Sequence, residues 1–242
     1  MSRHLSQKPA ALRRALLAIC LLLPAASALA QNWEAAADRD PFSGVNRAIF
    51  GFNEYFDNLL LRPLAVTYTN HVPPPVRAGV GNFFSNIDDI NTMANNLLQG
   101  KVDRAVSDCG RILINSTLGI GGLFDVASEL GLEKHHEDFG QTLGVWGIEP
   151  GPYIVLPIFG ASSARDTFGF VIDSFVNPVY HLENDRARVS TYGVERVDWR
   201  AGLLSTDALV SGDSYLFVRE AQFQSRDYEV KDGAVEDPFA DF

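Results

Sequence analysis

Apolar residues recur at helical spacing along most of this 242-residue chain, and glycine or proline interrupts them at short intervals. From Val45 to Leu61 they stand at 45, 49, 52, 56, 59 and 60, one face of a 3.6-residue period. Asp40-Pro41-Phe42-Ser43 reads as the start of that helix. Pro63 reads as its end, because the residue before a proline is pushed out of the helical region. His71 to Pro75, HVPPP, reads as a stiff extended connector. A second helix is expected over Asn86 to Gln99, stopped by Gly100, with Ile87, Ile90, Ala94, Leu97 and Leu98 on one side. A third, Val102 to Ile114, carries Val102, Ala105, Val106, Cys109, Ile112 and Leu113 in one stripe, which makes Cys109 a buried structural thiol. Ser162 or Ser163 caps a helix running through Val176, with Phe168, Val171, Ile172 and Phe175 expected inward. Helical patterns resume over 185–204 and 213–228, and no internal repeat is visible.

Two stretches break the helical rhythm. Asn115 to Ala127, NSTLGIGGLFDVA, holds Gly119, Gly121 and Gly122. It lacks the lysine of a GxxxxGK[ST] phosphate loop and follows a helix rather than a strand, so a glycine bend that brings helices close is the better reading. Thr142 to Pro157, TLGVWGIEPGPYIVLP, suits a hairpin. Pro150 presets φ at the second position of a type II turn and Gly151 accepts positive φ at the third. Its arms would be Gln141 to Ile148, including Gly144, Trp146 and Gly147, and Tyr153 to Leu156. Pro152 and Pro157 lack an N–H, so the ladder must be short, and a lone two-stranded hairpin is marginal in water. Mobility is expected unless the hairpin packs on something.

Charge and composition narrow the setting. Residues 1–30 have a basic start, an apolar run and Ala28-Leu29-Ala30, the pattern of a cleaved secretory signal. Cys20 would leave with it, since Ile19 is too bulky for the small residue that usually precedes an acylated cysteine. A polar leader (31–39), one domain (40–230) and an acidic tail (231–242) follow. Four of the 20 basic residues and none of the 30 acidic ones lie in the signal, so the remainder carries a net charge of −14. That balance argues against a nucleic-acid role, since phosphate binding needs basic surface. Only Cys109 remains, so packing rather than an internal disulfide must hold the fold. No run of about 18 apolar residues follows the signal, yet all 16 Phe do, which fits either helices lying at a membrane interface or an aromatic soluble core.

Candidate chemistry is sparse. Gly160 to Ala164 is not a GxSxG nucleophile elbow. His135-His136-Glu137-Asp138 lacks HExxH spacing and reads as a solvated loop, so neither catalytic nor metal residues are assigned and no cofactor is implied.

The chain resembles the MlaA (VacJ) family of outer-membrane phospholipid-transport proteins. The resemblance rests on DPFSGVNRAIFGFN (40–53), RPLA (62–65), VPPPVRAGVGNFFSNI (72–87), NSTLGIGGLFDVA (115–127), EDFGQTLGVWGIEPGPYIVLPIFGASSARD (137–166) and DSYLFVREAQFQSRDY (213–228). It implies a mostly α fold: a ring of amphipathic helices lying in the membrane around a central channel, with one short β-hairpin. It also implies removal of phospholipid misplaced in the outer leaflet, beside a trimeric porin, and delivery to a periplasmic MlaC-like lipid carrier. No covalent chemistry is involved. Carried onto this chain, Phe50, Phe52, Tyr55, Phe56, Phe83 and Phe84 would contact the membrane. Gly119, Gly121 and Gly122 would set close helix packing. The segment with Gly144, Trp146, Gly147, Pro150, Gly151 and Pro152 would be a mobile channel hairpin. A periplasmic phospholipase or a soluble lipid-binding module is the alternative.

Overall fold

The structure, a computed structural model, describes residues 39–210 and 212–234. The signal, all of the leader but Arg39, and the tail from 235 onward lie outside the described residues. Helix α1 (Ser43–Phe56) passes through a π-helical turn, Asp57–Leu61, directly into α2 (Arg62–His71). Pro63 therefore does not end the rod. Its ring would clash with the carbonyl four residues back, and the wider π turn moves that carbonyl away. The expected connector shrinks to Val72 and Pro73, because Pro74 and Pro75 occupy the first turn of α3 (Pro74–Leu98), where no N–H is needed. Then come α4 (Val102–Thr117), α5 (Val126–Glu129), α6 (Phe139–Val145), β1 (Tyr153–Leu156), β2 (Gly160–Ser163) and α7 (Ala164–Val176). A 3₁₀ turn (Pro178–His181), α8 (Asp185–Leu203), a second 3₁₀ turn (Asp207–Leu209) and α9 (Ser214–Val230) complete the chain. The fold is thus mostly α with one short hairpin.

The hairpin is not where the turn chemistry placed it. The expected first arm is helix α6, started by Asp138, whose carboxylate accepts from Gln141 N at 2.8 Å. That helix ends in a Schellman motif: Ile148 N donates to Leu143 O, Gly147 N donates to Gly144 O, and Gly147 takes φ +86°. Gly151 does take positive φ, +68°, but its turn joins the α6 cap to β1. The partner of β1 is β2, antiparallel, with Tyr153 opposite Ser163 and Leu156 opposite Gly160. The free edge of β1 is closed by α1. Asn46 donates to Tyr153 O (2.9 Å) and accepts from Val155 N (3.0 Å); two turns on, Asn53 donates to Leu156 O (2.9 Å) and accepts from Ile158 N (2.8 Å). Two side-chain amides thus stand in for a third strand, and the hairpin is pinned rather than loose.

Burial runs opposite to that of a water-soluble domain. Among the described residues nine hydrophobic side chains are buried against nineteen polar or charged ones, while 37 large hydrophobics are exposed. On α4 the inward face is Ala105, Asp108, Arg111 and Asn115; Val102, Val106 (67% exposed) and Leu113 face out. Cys109 lies on that outer face, exposed, not buried. On α7 the buried residues are Arg165, Asp166 and Gly169, whereas Phe168, Val171 and Phe175 (70% exposed) point outward, contrary to expectation, with Ile172 half-buried. On α3 the buried set is Asn86, Asp89, Asn91, Thr92, Asn95 and Asn96, with Leu97 and Leu98 exposed. The stripes are real, but most of their large side chains face away from the interior.

Candidate functional site: a polar interior centred on Arg226

Helices α6, α7 and α9 bring a guanidinium among carboxylates. Arg226 on α9 donates in a fork to Asp138 (2.6 and 2.8 Å), and also to Asp166 Oδ1 (3.1 Å) and Glu229 (2.9 Å). Asp166 also accepts from Arg165 Nε at 2.9 Å. The arrangement needs bare backbone. A Cβ at Gly140 would lie 2.7 Å from both Arg226 Nη2 and Asp166 Oδ1, and one at Gly169 would lie 2.7 Å from Gly140 Cα. Burial opposes charge on both Arg226 and Asp138, but each outweighs it for the other. Arg226 is held more firmly protonated and Asp138 below the usual carboxylate range.

Two cavities meet here, and both are lined by Asp166, Gln222 and Arg226. The larger, about 570 Å³, is also bounded by Arg39, Arg165 and the 147–151 connection. The smaller, about 280 Å³, lies toward Asn91, Asp173, Tyr180, Tyr192 and Glu195. Asp173 accepts from Phe139 N (3.0 Å) and Asn95 Nδ2 (3.2 Å). Burial, with the charge of Asp138 nearby, still pushes its carboxyl up to about 6. The interior is therefore polar, mixed in charge and wide enough for a small polar group.

A second buried network fastens the glycine bend. Arg111, 1% exposed, binds Asp125 through two 3.0 Å bonds and reaches Asp89, Ser128 Oγ and Leu132 O. Burial opposes charge on Asp125, but Ser128, Asn115 and Arg111 hold it down at about 2. Gly119 and Gly122 are close-approach positions: a Cβ would meet Asn115 Cα at 2.9 Å and Asn86 Cβ at 2.8 Å respectively. Gly121 needs only its positive φ, with open space around it.

The remaining expected residues divide. Phe52, Tyr55 and Phe83 are exposed, while Phe56 and Phe84 are half-buried beside them. Phe50 turns inward onto Tyr215, ring centroids 5.5 Å apart. Gly144 is a packed helix position, where a Cβ would meet Val230 at 2.7 Å and Arg165 at 2.8 Å. Trp146 Nε1 caps α3 by donating to Leu98 O at 3.2 Å. Gly147, Pro150 and Gly151 line the larger cavity beside Gly144, whereas Pro152 leads into β1 and accepts from Ala164 N. His135 is not solvated; its Nδ1 lies 2.8 Å from Asp108. Ser163 caps α7 by accepting from Asp166 N at 3.1 Å, and Ser162 Oγ meets Thr167 Oγ1 at 3.0 Å. Sequence reasoning missed Arg226, Asp138, Asp166, Asp173, Gly140 and Gly169. The available signal was polar residues at helical spacing on α3, with Asn91 and Asn95 one turn apart.

The family described as MlaA lipoprotein matches residues 38–229. The chain belongs to that family. An Escherichia coli (strain K12) protein named intermembrane phospholipid transport system lipoprotein MlaA is 37% identical over 201 residues, 80% of this chain and 79% of its own length. The Haemophilus influenzae protein of the same name is 34% identical, covering 80% of each. A Rickettsia felis protein is 39% identical over 196 residues, 79% of this chain and 78% of its own. A solved chain from work on the structural basis for maintenance of bacterial outer membrane lipid asymmetry superposes with TM-score 0.70 at 37% identity, covering 79% of this chain and 98% of that one. The family's description as lipoproteins does not support the expected loss of Cys20 with the signal; Cys20 lies outside the described residues.

Proposed function

We propose that this chain is a non-enzymatic component of intermembrane phospholipid transport that preserves outer-membrane lipid asymmetry. One observation carries the reading: apolar side chains face outward around an interior of buried amides, carboxylates and guanidiniums. Such a body is stable with its rim in acyl chains. Among the described residues no helix is long and apolar enough to cross a membrane. In this reading the body lies within one leaflet as a shallow ring. The cavities meeting at Arg226 give a phospholipid headgroup a polar route while its tails stay against apolar walls. In this reading the ring lies in the inner leaflet of the outer membrane beside a trimeric porin. It removes phospholipid from the outer leaflet and passes it to a soluble periplasmic carrier. The names of the Escherichia coli and Haemophilus influenzae relatives support phospholipid as the cargo.

Deleting the gene in its own bacterium is expected to expose phospholipid in the outer leaflet, read by an outer-leaflet acyltransferase or a surface-restricted amine label. Re-expression should reverse it. An outer leaflet that stays free of phospholipid after deletion refutes the reading.

A further inference from the structure

The smaller cavity has an unbalanced lining. Five carboxylates, Asp88, Asp138, Asp166, Asp173 and Glu195, face two guanidiniums, Arg196 and Arg226. Asp138 and Asp166 are bound by Arg226, whereas Arg196 lies over the Phe159 ring, 5.1 Å from its centroid. Among the described residues Asp173 and Glu195 have no basic partner within salt-bridge distance, and burial raises both carboxyls. Of the eleven buried side-chain atoms without a partner among the described residues, two line this cavity besides Tyr192 Oη. Asn91, 8% exposed, directs its amide toward Asp173, and its Oδ1 is buried without a donor. Arg226 Nε, at the junction of the two cavities, is buried without an acceptor. A buried polar group left without a partner calls for one.

The leftovers specify that partner. It must donate several N–H bonds and carry positive charge at the Asn91 and Asp173 end, and accept at the Arg226 end. Tyr180 and Tyr192, with ring centroids 4.8 Å apart, add an aromatic wall that suits a cation. Among the described residues no three His, Cys, Asp or Glu are grouped to hold a metal ion. At about 280 Å³ the cavity is large enough for a small headgroup but not for a whole lipid.

We propose that this cavity is a headgroup subsite for a primary ammonium, with the adjoining phosphodiester at Arg226, so that the protein favours phosphoethanolamine lipids over anionic glycerol phospholipids. The proposal rests on the transport reading and assigns its substrate class.

The test uses the full chain in detergent micelles doped with equal phosphatidylethanolamine and phosphatidylglycerol, with bound lipid extracted and quantified by mass spectrometry. Wild type is expected to retain the ethanolamine lipid about tenfold over the glycerol lipid, the low end for one charged hydrogen bond. Asp173→Asn and Glu195→Gln, on different helices, should each bring the ratio toward one, and their melting curves show that the fold persists. A wild-type ratio near one, or a ratio unchanged in both variants, overturns the subsite while leaving phospholipid transport standing. Recovery of neither lipid overturns both. Soluble phosphoethanolamine separates the sources: competition only in step with loss of bound lipid supports a lipid subsite, whereas saturable binding without lipid preference overturns it.

Discussion

Replacing Asp173 with asparagine is expected to make the protein more stable near neutral pH. The carboxylate is half-buried, near the negative Asp138 and, among the described residues, without a cation of its own, so its pKa rises from 3.8 to about 6. Raising an acid's folded pKa above its unfolded value means that the ionised form destabilises the fold. Between about pH 4 and 6 the folded state holds a proton that the unfolded chain has lost, so stability falls as pH rises through that window and stays lower above it. A shift of about two units corresponds to about 3 kcal/mol as a ceiling. Asparagine removes the charge and keeps one oxygen for Phe139 N or Asn95 Nδ2, the donors Asp173 now serves. Losing the second acceptor offsets part of the gain, leaving about 1–2 kcal/mol. For a domain of this size that is a rise in Tm of about 2–8 °C. Thermal unfolding of detergent-solubilised wild type and Asp173→Asn at pH 4, 6 and 8 measures it. The gap should be near zero at pH 4 and fully open at pH 8. A variant less stable at pH 8, or a gap that does not change with pH, refutes the reasoning.

Two further outcomes follow from packing and exposure. Gly169→Ala drives a methyl into Gly140 and should lose about 3 kcal/mol or more, whereas Gly193→Ala, in open space on α8, should gain about 0.5–1 kcal/mol; denaturant unfolding separates them. Cys109, on the outer face of α4, should react with a lipid-soluble maleimide in intact membranes yet resist a charged one until detergent is added. Labelling by the charged reagent without detergent would place that face in water.

Amphipathic periodicity was enough to locate α1, α4, α7, α8 and α9, because a helix repeats its faces every 3.6 residues whatever surrounds it. The start of α3 was hidden by Pro73-Pro74-Pro75, which reads equally as a connector or as a helix's first turn. Strand β2, Gly-Ala-Ser-Ser, carries no apolar alternation at all, so nothing local marked it as the partner of β1. Arg226 looked like any other surface arginine, since Asp138 lies 88 residues away.

By itself the sequence determined that the chain is largely amphipathic helix broken by glycine and proline, and its ordered motifs carried the family. It could not say which way the stripes face. A period is the same whether its apolar side meets a protein core or acyl chains, and only packing shows Asp108, Arg111 and Asn115 inside with Val106, Cys109 and Leu113 outside. The tertiary structure alone decided the polar interior. Its contacts join residues far apart along the chain, Asn46 to Tyr153 and Arg226 to Asp138, and their stability comes from mutual satisfaction of buried polar groups that no single segment can provide.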